Sequence, residues 1–179
     1  MRRVKRVIDM ARLVGCDHLR VAGDRLPADD SGHAATLANI AECIRELGLY
    51  AGAGMRVSLE MHGSFHDPHY ALDIMRRVDL PNVGLIFNGA FPAGREWKCT
   101  PPGGSTSIQA FYELVRPHLT SIHFHQIERP DQLPHWQEWF RLLKRDGYAG
   151  YVSNESSYTG PDPEKVLRLY TALFTTLIA

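Results

Sequence analysis

The chain has 179 residues, 44% of them apolar and 22% charged, with 20 basic and 20 acidic side chains that cancel. This is the composition of a soluble globular protein of about one domain, able to bury roughly 70% of its unfolded surface without covalent staples. Zero net charge and a pI near 7.1 argue against a dedicated nucleic-acid or acidic-membrane binder. Cys16, Cys43 and Cys99 are odd in number and form no CxxC pair, which argues against a disulfide framework or a zinc ribbon. The opening MRRVKRVIDMARLVG lacks the apolar run of a signal peptide, and no stretch approaches the roughly 20 apolar residues of a membrane span. The expected compartment is a reducing cytoplasm.

Residues 2–14 read as a helix, with Val4, Val7, Ile8, Ala11 and Val14 on one stripe and Gly15 as its stop. LRVAG (19–23) reads as a short strand, and Ser31 as the N-cap of a long helix through 49. RVSLEMH (56–62) is a strand, followed by a helix that Asp67 caps and Pro68 opens. NVGLIFN (82–88) is a strand before a long Gly/Pro-rich loop, AFPAGREWKCTPPGGSTS. A helix over 107–117, a strand SIHFHQ (121–126), a helix PHWQEWFRLLKRDG ending at Gly147, a strand GYVSNES (150–156) and a last helix complete the chain. No hairpin turn is evident. Strands alternating with helices predict a parallel α/β sheet with helical crossovers.

That order fits an open doubly wound sheet, a flavodoxin-like fold or part of a (β/α)8 barrel. In a doubly wound sheet the central strands read as nearly continuous apolar runs. Here Val57, Leu59 and Met61 alternate with Ser58, Glu60 and His62, and Ile122 and Phe124 alternate with Ser121, His123 and His125. One face is apolar, and the other is small or polar and ends in ionisable groups, as a barrel lumen leading to an active site would be. A closed barrel needs about eight strands and about 250 residues. The expectation is therefore a partial (β/α)8 TIM barrel of five parallel strands, corresponding to units 4–8.

The strand ends carry Glu60, Asn88, His125 and Glu155, at spacings of 28, 37 and 30 residues, each about one β–α unit. In a parallel barrel all strand C-termini open on one face, so the four groups converge there. Two carboxylates, an amide oxygen and an imidazole suit a divalent cation of intermediate hardness, with Mn²⁺ first and Mg²⁺, Co²⁺ or Zn²⁺ as alternatives. Such a site can run proton transfer on a hydroxy-ketone or hydroxy-aldehyde, with the metal stabilising an enediolate and two carboxylates exchanging the proton.

VSLEMHG, PNVGLIFN, TSIHFHQIE and GYAGYVSNES, preceded by LRVAG, resemble in order segments of the xylose isomerase-like TIM-barrel superfamily, in its sugar phosphate isomerase/epimerase branch. The resemblance runs from about residue 4 to 174 and lacks the first three β–α units of such barrels. It implies a metal held by Glu60, Asn88, His125 and Glu155, with Glu60 and Glu155 as acid and base and His62 near substrate. Two positions depart from the pattern. Asn88 stands where an Asp is usual, which removes a negative charge, and Phe91 stands where a His commonly follows.

Further candidates follow from position. His123 shares the parity of His125 one layer deeper, as a supporting or substrate-side group. Arg20 points inward on the first strand, towards a carboxylate or a substrate. Arg129, beyond the HxH strand, is a candidate for a hydroxyl or phosphate, against an ordinary exposed arginine. Trp97 lies with Glu96 and Lys98 in the long loop, as part of a lid or as a packing anchor. Trp136 and Trp139, at helical spacing, read as core.

The leading expectation is a metal-dependent isomerase or epimerase of a small sugar or sugar phosphate. The alternatives are a lyase dehydrating an inositol-type keto-sugar, and a barrel remnant without catalysis. The superfamily's phosphodiesterase branch needs more ligands and a basic groove, and the charge balance counts against it. Five units leave two open sheet edges, so a truncated product or self-association into a homo-oligomer is also expected.

Overall fold

Local chemistry sets where the helices begin. In the computed structural model, which describes residues 1–89, 97–99, 104–127, 129–155 and 161–179, with backbone alone at 97–99 and 104–106, the helices are α1 (Arg2–Leu13), α2 (His33–Ala51), α3 (Pro68–Val78), α4 (Ile108–Val115), α5 (Leu133–Arg145) and α6 (Pro163–Ile178). Asp67, Ser107 and Asp162 accept backbone N–H groups at the starts of α3, α4 and α6, and proline occupies the first turn of α3, α5 and α6. Gly15, just past α1, has φ 71°, a conformation glycine adopts at least cost.

One expected cap is different. Ser31 does not cap α2. It lies in a single 3₁₀ turn (Asp30–Gly32), where the Asp29 carboxylate accepts from Gly32 N–H and from the Ser31 hydroxyl. Those bonds hold the Asp29 carboxyl below the usual carboxylate range, the serine contact being the largest cause.

The strands are β1 (His18–Ala22), β2 (Arg56–Met61), β3 (Val83–Asn88), β4 (Trp97–Cys99), β5 (Gly104–Thr106), β6 (Leu119–Phe124) and β7 (Tyr151–Asn154). Five form one sheet in the order β1-β2-β3-β6-β7, and the pairs β1–β2, β2–β3 and β6–β7 are parallel. This is the predicted α/β alternation. The remaining two correct the expectation of no hairpin: β4 and β5 pair antiparallel, Trp97 opposite Thr106, inside the stretch read as loop. Strands of three residues are too short for periodicity to reveal.

The chain divides into two compact units, residues 1–87 with 117–120, and residues 88–116 with 121–179. In the first, α2 packs on α3 and both pack on β2. Every residue of β2 from Val57 to Met61 and every residue of β3 is buried, so the alternation in β2 separates two covered faces. The stripe on α1 is less buried than its pattern suggests: Ile8 is buried, whereas Val7 and Val14 are exposed. This unit's core is mainly aliphatic.

The second unit has an aromatic core. Phe124 stacks on Phe174 at 5.4 Å and Trp136 on Phe140 at 5.6 Å, while Trp139 meets Tyr112 edge-on at 5.2 Å. Such pairs contribute about 0.5–1.5 kcal/mol each beyond burial. Trp136 and Trp139 are thus core residues, as expected.

Candidate functional site

The first unit holds Glu60 near the end of β2. Its side chain is 5% exposed, and Oε1 accepts from Arg20 Nη1 at 2.9 Å. A buried charge without such a partner would be strongly disfavoured. The pairing expected for Arg20 is present.

Behind it lies a polar chain that sequence reading did not find. His18 Nε2 is 2.7 Å from Ser58 Oγ, Ser58 Oγ is 2.7 Å from Thr120 Oγ1, and Thr120 donates to the Leu85 carbonyl at 2.9 Å. A carbonyl can only accept, so the Thr120 proton is committed there and Ser58 donates to Thr120. Ser58 then accepts from His18, which fixes the proton on Nε2.

Glycine makes this chain possible. A Cβ at Gly84 would lie 2.4 Å from Thr120 Cγ2 and 2.6 Å from the His118 carbonyl. The inward parity of Ser58 is the one sequence signal of the network. Thr120 carries none, because its role depends on a neighbouring strand.

Further along, His62 Nδ1 is 3.4 Å from Asp24 Oδ1, and its ring lies 5.8 Å from that of His66. Asp24 has φ 55°, and its carbonyl accepts from Ser64 N–H. Sequence reading singled out His62 and missed Asp24.

The second unit brings together Asn88, His123, His125 and Glu155. Asn88 Nδ2 donates to Glu155 Oε2 at 2.9 Å, and Asn88 Oδ1 accepts from His125 Nε2 at 3.0 Å. An ionised carboxylate only accepts, so Glu155 sets the amide orientation and the amide in turn sets the proton on His125 Nε2. His123 Nδ1 lies 3.6 Å from the same Glu155 oxygen. His123 is thus in direct reach of Glu155, and His125 is linked to it through Asn88.

Backbone bonds fix these groups. Glu155 N–H donates to the Phe124 carbonyl at 2.9 Å, extending the β6–β7 ladder one residue past β7. His125 lies just past β6, where its carbonyl accepts from Trp136 Nε1 at 2.9 Å. The positioning role of Trp136 is invisible in sequence.

Arg129 grips Asp131 through Nε and Nη2 at 3.0 and 2.7 Å and is half exposed. Trp97 belongs to the hairpin by its backbone; its side chain, Glu96 and Phe91 lie outside the described residues. The donor types fit a divalent cation: Glu60 offers a carboxylate, and His123 and Glu155 offer an imidazole and a second carboxylate.

The family model described as "Xylose isomerase-like TIM barrel" matches residues 1–172, and the chain belongs to this family. A xylose isomerase-like TIM barrel protein from Mycobacterium smegmatis, solved in complex with magnesium, is similar in fold, with TM-score 0.63 and 18% identity over 98% of this chain and 66% of that one. The probable 3-DHS dehydratase AsbF of Bacillus anthracis is similar at TM-score 0.59 and 13% identity, over 97% of this chain and 69% of that one. The chain thus spans about two thirds of the length of either protein, as a partial barrel does. A comparison with curated protein sequences gave no match. Among the described residues no helix is long and apolar enough to cross a membrane.

Proposed function

We propose that this chain serves a divalent-metal-dependent isomerase or epimerase of a small sugar or sugar phosphate. The observation that carries the reading is the pairing of His123 with Glu155 beside Asn88, at the C-terminal ends of strands β3, β6 and β7. Glu60, in the first unit, and His123 and Glu155, in the second, are the proposed ligands. Asn88 and His125, the other expected ligands, are hydrogen-bonded to each other beside Glu155, through the amide oxygen and one ring nitrogen.

A cation held there would polarise a substrate carbonyl and the neighbouring hydroxyl, making the adjacent C–H more acidic. One glutamate takes the proton from that carbon, and the electron pair moves into the carbonyl to give an enediolate. The other glutamate, starting protonated, would return a proton to the opposite face, which is epimerisation; return of the proton to the neighbouring carbon, with the hydroxyl proton passing to the former carbonyl oxygen, is isomerisation. Mn²⁺ suits the donor set best, and the magnesium complex of the mycobacterial relative supports a hard divalent ion.

Balanced charge favours a small substrate over nucleic acid, and a cytoplasmic setting fits the free, exposed Cys16 and Cys43. The second reading is a lyase, supported by the likeness to a probable dehydratase. The deciding experiment is Mn²⁺ titration by calorimetry on the folded protein and on Glu155→Gln, with size exclusion as the sample check. One-site binding weakened in the variant by more than the roughly 10–100-fold typical of an outer-sphere loss supports the reading. No binding by a folded wild type overturns it. Product analysis on keto-sugars then separates epimer from dehydrated product.

A further inference from the structure

We propose, building on the reading of Glu60 as a metal ligand, that Arg20 is a resident counter-cation: it compensates and aims the Glu60 carboxylate while the divalent cation is absent, and it competes with that cation. The argument begins with strand register. Arg20 is opposite Ser58, and Ala22 is opposite Glu60, so Arg20 reaches its partner diagonally, two residues forward. The small Ala22 side chain leaves that lane open. His18 takes the same diagonal to Ser58, so the two contacts together lock β1 onto β2.

The exposures are unequal. The Glu60 side chain is 5% exposed and that of Arg20 51%. The carboxylate is desolvated and depends on nearby charge compensation, whereas the guanidinium already reaches solvent. A ligand that must be charged to bind metal is thus supplied with a replaceable positive charge. Arg20 is a positioning residue here, which differs from a direct contact with substrate.

The test uses Arg20→Met, Arg20→Lys, Glu60→Gln and the double variant Arg20→Met/Glu60→Gln, with thermal denaturation and Mn²⁺ calorimetry. Without Mn²⁺, Arg20→Met melts below wild type and the double variant melts above Arg20→Met, because the double variant also removes the buried carboxylate that has lost its guanidinium. Arg20→Met binds Mn²⁺ about tenfold more tightly than wild type, since a neighbouring positive charge has gone, and Mn²⁺ raises its melting temperature by more. Arg20→Lys falls between.

A double variant melting no higher than Arg20→Met overturns the pairing role, leaving Arg20 as packing. Unchanged or weaker Mn²⁺ binding by Arg20→Met overturns the competition, and a raised KM with unchanged metal affinity assigns Arg20 to substrate instead. If folded wild type binds no Mn²⁺, the metal reading and the competition fail together. The melting comparison still decides the pairing.

Discussion

The two proposed carboxylate ligands, one in each unit, are stabilised by opposite means. Glu60, in the first unit, is almost fully buried and faced by a guanidinium. Glu155, in the second, has a side chain 42% exposed and is faced by an amide and an imidazole. The first unit carries its own charge compensation inside an aliphatic core. The second, over an aromatic core, leaves a carboxylate to water, an amide and an imidazole. A buried charge must be paired wherever it stands, and a half-exposed one need not be. Glu60 therefore contributes both to the fold and to the proposed chemistry, while Glu155 contributes mainly to the proposed chemistry.

Breaking the first unit's inner face should have the largest effect. Gly84→Val drives a side chain into the His118 carbonyl and Thr120, where a Cβ alone would approach to 2.6 and 2.4 Å. The expected cost is about 3 kcal/mol, read as a lower urea midpoint at unchanged m-value. A midpoint near wild type would mean that the strands separate easily there and that the polar chain is loose.

The direct test of the contrast sets Arg20→Met against Glu155→Gln. The first should cost about 2 kcal/mol, below the 3–5 of a fully buried pair because the arginine is half in water. The second should cost under about 0.5 kcal/mol while removing metal affinity. Equal costs would abolish the distinction between the units. Trp136→Phe keeps the ring stacking but loses the donor to the His125 carbonyl, for about 1 kcal/mol and a few-fold loss of Mn²⁺ affinity. An unchanged affinity would show that His125 is held without it.

The smallest effect concerns pH and His118, which burial pushes below its ordinary value of 6.5. The unfolded chain then takes up a proton at a higher pH than the folded one. This group's stability contribution is complete above about pH 6.5 and is lost as pH falls through the lower folded value. His118→Gln should flatten the melting-temperature profile on that acidic side. A wild-type slope retained in the variant would assign the pH dependence to other groups.

Much of this was legible in advance, and the reason is local. Asp67-Pro68 marks the start of α3 because a cap and a proline act within one turn. The inward parity of Ser58, Glu60, His123 and Glu155 shows because side chains alternate every residue along a strand. Ser31 misled because Asp29, two residues earlier, offers the stronger acceptor. The hairpin Trp97–Cys99 with Gly104–Thr106 was missed because three residues give no period.

The sequence alone determined the order of the helices and of the five strands of the parallel sheet, the family, the parity of the ionisable groups and the inward direction of Arg20. These follow from short-range periodicity, capping and motif order. Tertiary structure alone decided which imidazole meets Glu155, that Thr120 completes a chain through Ser58 across Gly84, and that Trp136 holds His125. Those contacts join residues separated by 11 to 62 positions. Their partners are selected by strand register and packing distance, which no local pattern encodes.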